Sequence, residues 1–467
     1  VTALHPFQQE GVTAIGDAFR AGHRAVLFQL ATGGGKTTVF SHIGARMVDN
    51  GRRVGVLVHR RELLDQARAR LQVEGIDAAA IATRQEIDPA GLAHVASVQT
   101  LVKRLHMLPR DWFDLLVVDE CHHTPAASWS QVLEHFSSAR ILGVSATPCR
   151  QDGTGLGQWY QELICGPSPQ WLTDNKYLAP AEMFSPPGID RGKIRQRMGE
   201  FIASEASGMM RSDSIIGDSL ALYRKHLDGQ TAVAFCCDVA HAEAVAQMFR
   251  DHGVPAAAID GKMRRDPRAI PRILADLAGG TLRVVTSCDL IGEGTDIPSV
   301  GGALLLRPTQ SVALHLQQIG RPLRYQPGKT AIIIDQVGNM IHGNHVWDQY
   351  GRDRVWSLEG SKRGRSKPPA PSVRVCPSCY SCLRSGTQRC HGCGYVWELW
   401  SRQLQHVPGE LEAVTRPKPG SFASQRAAAQ TYSELVAVGR SRGMARPHAW
   451  ASHILAARKA KPKRRAG

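Results

Sequence analysis

Short apolar runs alternate with helical stretches along the first 150 residues. The runs Ala25–Leu30, Arg53–Val58, Ala93–Ser97, Leu115–Asp119 and Ile141–Ser145 are each five or six residues long. Helical patterns such as Arg61–Gln72 separate most of them. That rhythm predicts strands of a parallel α/β sheet. Residues 151–185 lose it and gain Gly, Pro and Trp, as in Gly166-Pro167-Ser168-Pro169, so an inter-domain connection is expected there. A second set of runs follows, at Ala232–Cys236, Ala256–Ile259, Leu282–Thr286, Gly302–Leu306 and Ala331–Asp335. Between the first two, His241–Asp251 places Ala244, Val245, Met248 and Phe249 on one helical face. The expected fold is therefore α/β, with two parallel-sheet domains in tandem at 1–150 and 186–345. A basic, Pro/Ser-rich linker is expected at 346–375, then a cysteine-rich segment at 376–397 and a basic region at 398–467.

Composition narrows the setting. A chain of 467 residues suits two or three domains. No run of about 18 uninterrupted apolar residues is present, so no membrane span is expected. The first residues show no charged segment followed by an apolar stretch, so no secretory signal is expected either. The formal net charge of +16 points to a polyanionic partner, with nucleic acid the first candidate. Charge is concentrated at the end, where Ser401–Gly467 holds 13 Lys/Arg against 3 Asp/Glu. Of 11 cysteines, Cys121, Cys149, Cys165, Cys236, Cys237 and Cys288 are scattered. An odd total with unpaired spacing argues against a disulfide framework and for a reducing cytoplasm.

The chemistry begins after the first run. Leu30-Ala31-Thr32-Gly33-Gly34-Gly35-Lys36-Thr37 has the form of a phosphate-binding loop. Its glycines let backbone N–H groups converge on phosphates. Lys36 can reach the β and γ phosphates, and the Thr37 hydroxyl can hold Mg2+. The strict pattern wants glycine where Leu30 stands. Asp119 and Glu120 end the fourth run, so Asp119 is assigned to the metal and Glu120 to the attacking water. Ser145-Ala146-Thr147 ends the fifth run, where short hydroxyl residues can link the metal site to the domain interface. In the second domain, Gln317 to Arg324 presents Arg321 and Arg324 three apart, on one face if helical. Their planar, permanently ionised forks suit developing phosphate charge, and across a cleft they would tie hydrolysis to domain closure. Gly294-Thr295-Asp296-Ile297-Pro298 is a turn that could face the same cleft.

Together these residues resemble the superfamily 2 helicases, with DEAD/DEAH-box-like motifs. Leu4 to Gln9 is similar to the family's N-terminal glutamine segment, with Gln8 as adenine reader. The loop of Thr32, Gly33, Gly34, Gly35, Lys36 and Thr37 resembles motif I, and Val56–Leu63 motif Ia. Val95–Leu101 resembles motif Ib, and Asp119-Glu120-Cys121-His122 a DEAH box with cysteine in third place. Ser145 to Thr147 resembles motif III, Gly292–Pro298 motif V and Gln317–Arg324 motif VI. Arg307–Val312, Pro327–Thr330 and Asp335–Asn339 further resemble the bacterial RadD-type repair helicases and related phage helicases. The resemblance implies two RecA-like domains with ATP between them and nucleic acid across both. It implies Lys36, Thr37, Asp119, Glu120, Gln317, Arg321 and Arg324 as the ATPase core, with Gly294 and Asp296 at the nucleotide. His122, with Ser145 and Thr147, would couple hydrolysis to the strand. DNA, single-stranded or branched, is the implied track, in repair or recombination. RNA stays open, and a repair or single-strand-binding protein is a candidate partner. A restriction-system motor and an ATP-gated DNA clamp with little turnover are the rival readings.

Cys376-Pro377-Ser378-Cys379 and Cys390-His391-Gly392-Cys393 are two CxxC knuckles ten residues apart, a spacing that suits four thiolates on zinc. Metal binding would drive folding of so short a segment. Cys382 leaves the register open, since Cys379 and Cys382 also form CxxC. The register with Cys376, Cys379, Cys390 and Cys393 is favoured by likeness to the RadD-type ribbon and by its longer hairpin. Tyr395 and Trp397 could stack on bases or pack on the ribbon. Ala449–Leu455, between basic residues, predicts a short helix able to add phosphate contacts.

Overall fold

The computed structural model describes residues 3–59, 63–82, 86–124, 127–149, 154–186, 193–197, 200–211, 213–261, 263, 266, 268–288, 300–342, 355–359, 373–384, 386–397, 422–444 and 446–460. The chain forms two compact units, 1–398 and 399–467. Unit one holds two parallel sheets. The first contains β1 (Ala25–Gln29), β2 (Val54–Val58), β3 (Ala79–Ile81), β4 (Ala93–Ser97), β5 (Leu115–Asp119), β6 (Arg140–Ser145) and β7 (Glu162–Cys165). Their order is β3-β4-β2-β5-β6-β1-β7, with every pair parallel. β1, β2 and β4 are buried over their whole length. Continuous apolar sequence is what a strand covered by helices on both faces requires.

The second sheet contains β8 (Ala181–Phe184), and then, after a small hairpin of β9 (Gln196–Arg197) and β10 (Glu200–Phe201), β11 (Ala232–Phe235), β12 (Ala256–Ile259), β13 (Val284–Ser287), β14 (Gly302–Leu305) and β15 (Ala331–Asp335). Its order is β12-β13-β11-β14-β15-β8, again parallel throughout. The two-domain α/β architecture expected from the pattern is therefore present.

Residues 151–185, expected as a connection, carry structure of their own. They place β7 at the edge of one sheet and β8 at the edge of the other, with the helix Pro169–Asp174 between. Leu172 and Leu178 from this stretch share one buried cluster with Phe7, Phe28, Leu323 and Ala331, so the apolar core continues from domain to domain. Within 346–375, expected as a solvated linker, residues 355–359 dock instead. The Leu358 carbonyl accepts from Gly157 N at 2.8 Å, and its side chain packs on the first domain's core.

The cysteine-rich hairpin of β16 (Val373–Val375) and β17 (Cys382–Arg384) attaches to the second sheet. Ser381 forms an antiparallel bridge with Phe184 of β8, and Ser185 N donates to Tyr380 O at 3.0 Å. Cys382 turns toward the second domain's core. The C-terminal unit is helical, with Phe422–Ala428, Tyr432–Ser441 and Pro447–Ala460. Ala429, Leu435, Val436 and Ala451 form its core, and Trp450 packs inward against Phe422 at 5.6 Å. Among the described residues no helix is long and apolar enough to cross a membrane.

Candidate functional site

The phosphate-loop candidate follows β1 and opens the helix Lys36–Asp49. Gly35 sits at φ +89, a left-handed conformation that side chains resist. A Cβ there would also lie 2.3 Å from Gln8 Nε2, because Gln8 closes over the loop from the helix Pro6–Arg20. Gln8 Nε2 donates to Gly34 O at 3.0 Å, and its Oε1 accepts from His5 N at 3.0 Å. Lys36 Nζ donates to Leu30 O at 3.4 Å. Leu30 itself is fully buried, so the first domain's core uses the position where the strict pattern has glycine.

β5 delivers Asp119, and the chain turns at once, with Glu120 at φ 49. Glu120 N donates to Asp119 Oδ1 at 3.0 Å. Burial, and next the Glu120 charge, push the Asp119 carboxyl up to about 7, while the Lys36 ammonium pulls it down. Behind the pair lies a buried polar cluster. His122 Nδ1 is 3.4 Å from Glu120 Oε2 and 3.2 Å from Ser145 Oγ. Ser145 Oγ accepts from Thr147 N at 3.1 Å and lies 3.5 Å from Glu120 Oε2. The three residues expected to couple hydrolysis to the strand thus meet at the back of Glu120. Cys121 is buried in the core beside Tyr160, and burial pushes its thiol well up. His123 stacks on His59 at 4.1 Å, a contact the sequence did not signal.

The opposite wall is the end of the helix Val312–Gly320. The Glu200 carboxylate accepts from Thr309 Oγ1 at 2.7 Å, Gln310 N at 3.0 Å and Ser311 N at 3.1 Å, which pins the start of that helix. The two arginines do not share a helical face. Arg321 caps the helix, Pro322 cannot supply the next N–H, and Arg324 forms a bridge with Leu178. A Cβ on Gly320 would lie 2.6 Å from Thr32 Cβ, so the wall approaches the loop closely.

Between the walls is a cleft of about 670 Å³. It gathers Gln8, Thr32, Gly33, Gly34, Gly35, Lys36, Thr37, Asp119 and Glu120 from one side and Gln317, Arg321 and Arg324 from the other. Gly294 and Asp296 lie outside the described residues. The sequence reading missed the aromatic mouth of the cleft. Tyr177 lies 4.8 Å from Phe7 and 4.7 Å from His5, with Trp171 stacked on it at 5.8 Å. Phe7 could have been found by its place beside Gln8, whereas Tyr177 sits in the stretch taken as a connection. The cleft fits a nucleoside triphosphate. The loop leaves no room for side chains, and both amide atoms of Gln317 and the Thr32 hydroxyl lack partners among the described residues.

The four cysteines of the favoured register also meet. Cys376, Cys379, Cys390 and Cys393 place all sulfurs within 4.8 Å of one another, with 376–393 at 3.5 Å and 379–390 at 3.6 Å. Tetrahedral zinc–thiolate bonds of about 2.3 Å put sulfurs roughly 3.8 Å apart, so the set fits zinc. The Cys393 thiol is drawn down to about 6, chiefly by a backbone hydrogen bond at Tyr395. Cys382 is excluded from this set by its contact with the second core. Trp397 packs at the ribbon under Arg374, 5.0 Å from its guanidinium.

Residues 2–150 match the family model described as type III restriction enzyme, res subunit, and residues 215–326 match the helicase conserved C-terminal domain. A Lactococcus phage protein described only as a 51.5 kDa protein is 31% identical over 84% of this chain and 83% of its own length. The chain belongs to the superfamily 2 helicases. As a member it is a nucleic-acid-dependent ATPase of the helicase type, and the family implies ATP and Mg2+. A Saccharomyces cerevisiae protein named as ATP-dependent helicase IRC3 is 30% identical over 72% of this chain and 51% of that protein. The fold is shared with a fragment of an HsdR-type subunit of a type I restriction enzyme from Vibrio vulnificus. That likeness has a TM-score of 0.56 and 21% identity, over 70% of this chain and 63% of the fragment. The helicase thus spans most of the phage relative but about half of the yeast one.

Proposed function

We propose that this helicase couples ATP hydrolysis to movement along DNA. The observation that carries the reading is the two-walled cleft. Loop and acid pair come from one domain, and Gln317, Arg321 and Arg324 from the other. Lys36 holds the β and γ phosphates, and Thr37 and Asp119 hold Mg2+, which neutralises phosphate charge when bound. Glu120 orients the attacking water. Arg321 and Arg324 meet the charge that develops as the phosphoryl group leaves, so hydrolysis requires the walls to be closed. The network of His122, Ser145 and Thr147 carries the state of Glu120 toward the strand. Gln8 and the aromatic mouth receive the base. Cys376, Cys379, Cys390 and Cys393 bind structural zinc.

A role in repair or recombination is supported by the RadD-like segments. Asn339 joins two of them, accepting from Thr309 N at 2.9 Å and donating to Arg307 O at 2.9 Å. A second reading, the motor of a restriction system, is favoured by the family model of the first domain and by the HsdR-type fold. Steady-state ATP hydrolysis without nucleic acid and with single-stranded, duplex and branched DNA or RNA tests the main reading. Stimulation by DNA is expected. Equal rates under all conditions would overturn it, and co-purification with a methyltransferase or nuclease would favour the second.

A further inference from the structure

The C-terminal unit folds on a core of its own, and its surface chemistry is one-sided. Between residues 435 and 467 the chain has nine Lys/Arg and no Asp or Glu. Arg440, Arg442 and Arg446 fall at the turn between the helices Tyr432–Ser441 and Pro447–Ala460, and all three are exposed. Trp450 packs on the core and so takes no part in that surface.

The outward groups are organised by His448. Arg440 Nη2 lies 3.0 Å from His448 Nε2, and Tyr432 Oη lies 3.1 Å from His448 Nδ1. A guanidinium can only donate, so Nε2 accepts and the neutral ring carries its proton on Nδ1. Nδ1–H then donates to the Tyr432 oxygen. That leaves the phenol hydrogen and the remaining Arg440 N–H groups, on two exposed side chains, for another acceptor. The one carboxylate nearby, Glu434, is turned back onto the backbone, accepting from Gln430 N at 2.7 Å and Thr431 N at 3.0 Å, so the donors of the face carry net positive charge, which is complementary to phosphate oxygens. Tyr432 is 43% exposed, enough for its ring to lie along a nucleotide.

We infer that the face formed by Tyr432, Arg440 and His448, continued by Arg442 and Arg446, is a second nucleic-acid site that grips the phosphate backbone without reading sequence. The choice of nucleic acid over another polyanion rests on the DNA-tracking reading. Such a grip would keep the motor on its track while the cleft opens and the domains change hold.

The test uses the full chain and a triple variant, Arg440→Ala with Arg442→Ala and Arg446→Ala. Binding of a labelled single-stranded oligonucleotide is measured by anisotropy without ATP, from 50 to 300 mM salt. Three lost phosphate contacts should reduce the slope of log affinity against log salt by about 2 and weaken binding by about tenfold to fiftyfold at 0.15 M. The matching Arg→Lys triple variant should restore most of both. An unchanged slope in the alanine variant overturns the inference, even if affinity falls. So does a parent chain that binds polyglutamate through these arginines as tightly as it binds DNA, which would assign the face to an acidic protein. ATPase stimulation of the parent by DNA is recorded in parallel, so that failure of the motor reading is seen separately from failure of this site.

Discussion

Replacing Gly35 by alanine puts the loop geometry to a quantitative test. Two costs are separable in the structure. The first is backbone strain, because φ +89 is a left-handed conformation that costs an alanine about 1–2 kcal/mol. The second is displacement of Gln8, whose Nε2 would stand 2.3 Å from the new Cβ. Gln8 is 4% exposed and held by hydrogen bonds to Gly34 O and from His5 N. Losing both would cost about 1–3 kcal/mol more. In a Gln8→Ala background the second cost has already been incurred, so only the strain should remain. A double-mutant cycle on the first domain's urea transition should therefore show Gly35→Ala cheaper in the Gln8→Ala chain by about 1 kcal/mol or more. The KM for ATP should rise in both single variants. A cycle that closes within about 0.5 kcal/mol would falsify the claim that Gln8 and Gly35 are in mutual contact.

Other outcomes follow from the same site. Lys36→Ala and Glu120→Gln should each abolish ATP turnover, and robust hydrolysis by either purified variant would refute its assigned role. Ser145→Ala removes the hydroxyl shared by His122 and Thr147, so DNA stimulation of hydrolysis should fall severalfold while unstimulated turnover persists. Equal losses of both would mean the cluster merely supports Glu120. Gly320→Ala sets a methyl 2.6 Å from Thr32 Cβ and should hold the walls apart. Nucleotide-dependent protection of the interface from hydrogen exchange should then shrink, and full protection would count against closure. Metal analysis should find one zinc per chain, lost in Cys376→Ser with Cys390→Ser. A zinc-loaded parent that melts at the same temperature as the variant would count against a zinc ribbon.

The central strands were legible because each is a continuous apolar run, and β1, β2 and β4 proved buried from end to end. The edges were not. β3, β7 and β8 have only three or four residues each and are partly exposed, so pairing with a neighbour forms them rather than any local pattern. The acid pair and the glycine loop were readable because their chemistry is local in sequence. The arginine wall was half readable, since residue types showed and the break at Pro322 was passed over. Glu200 had no local signal, because its partners lie 109 to 111 residues further along the chain. The choice among the cysteines was not legible in the spacing, because it depends on packing: Cys382 lies against the second core while the other four sulfurs converge.

β8 lies at the outer edge of the second sheet, and the ribbon covers it through Ser381 and Tyr380. An uncovered parallel edge offers unpaired N–H and C=O groups to any passing strand. Zinc bound at these cysteines, as proposed, would therefore have a consequence remote from catalysis. A chain stripped of metal would lose the hairpin that shields this edge, and molecules would begin to pair edge to edge. Colloidal behaviour during purification, such as turbidity after treatment with a strong chelator, would then report on the ribbon before any enzymatic assay did.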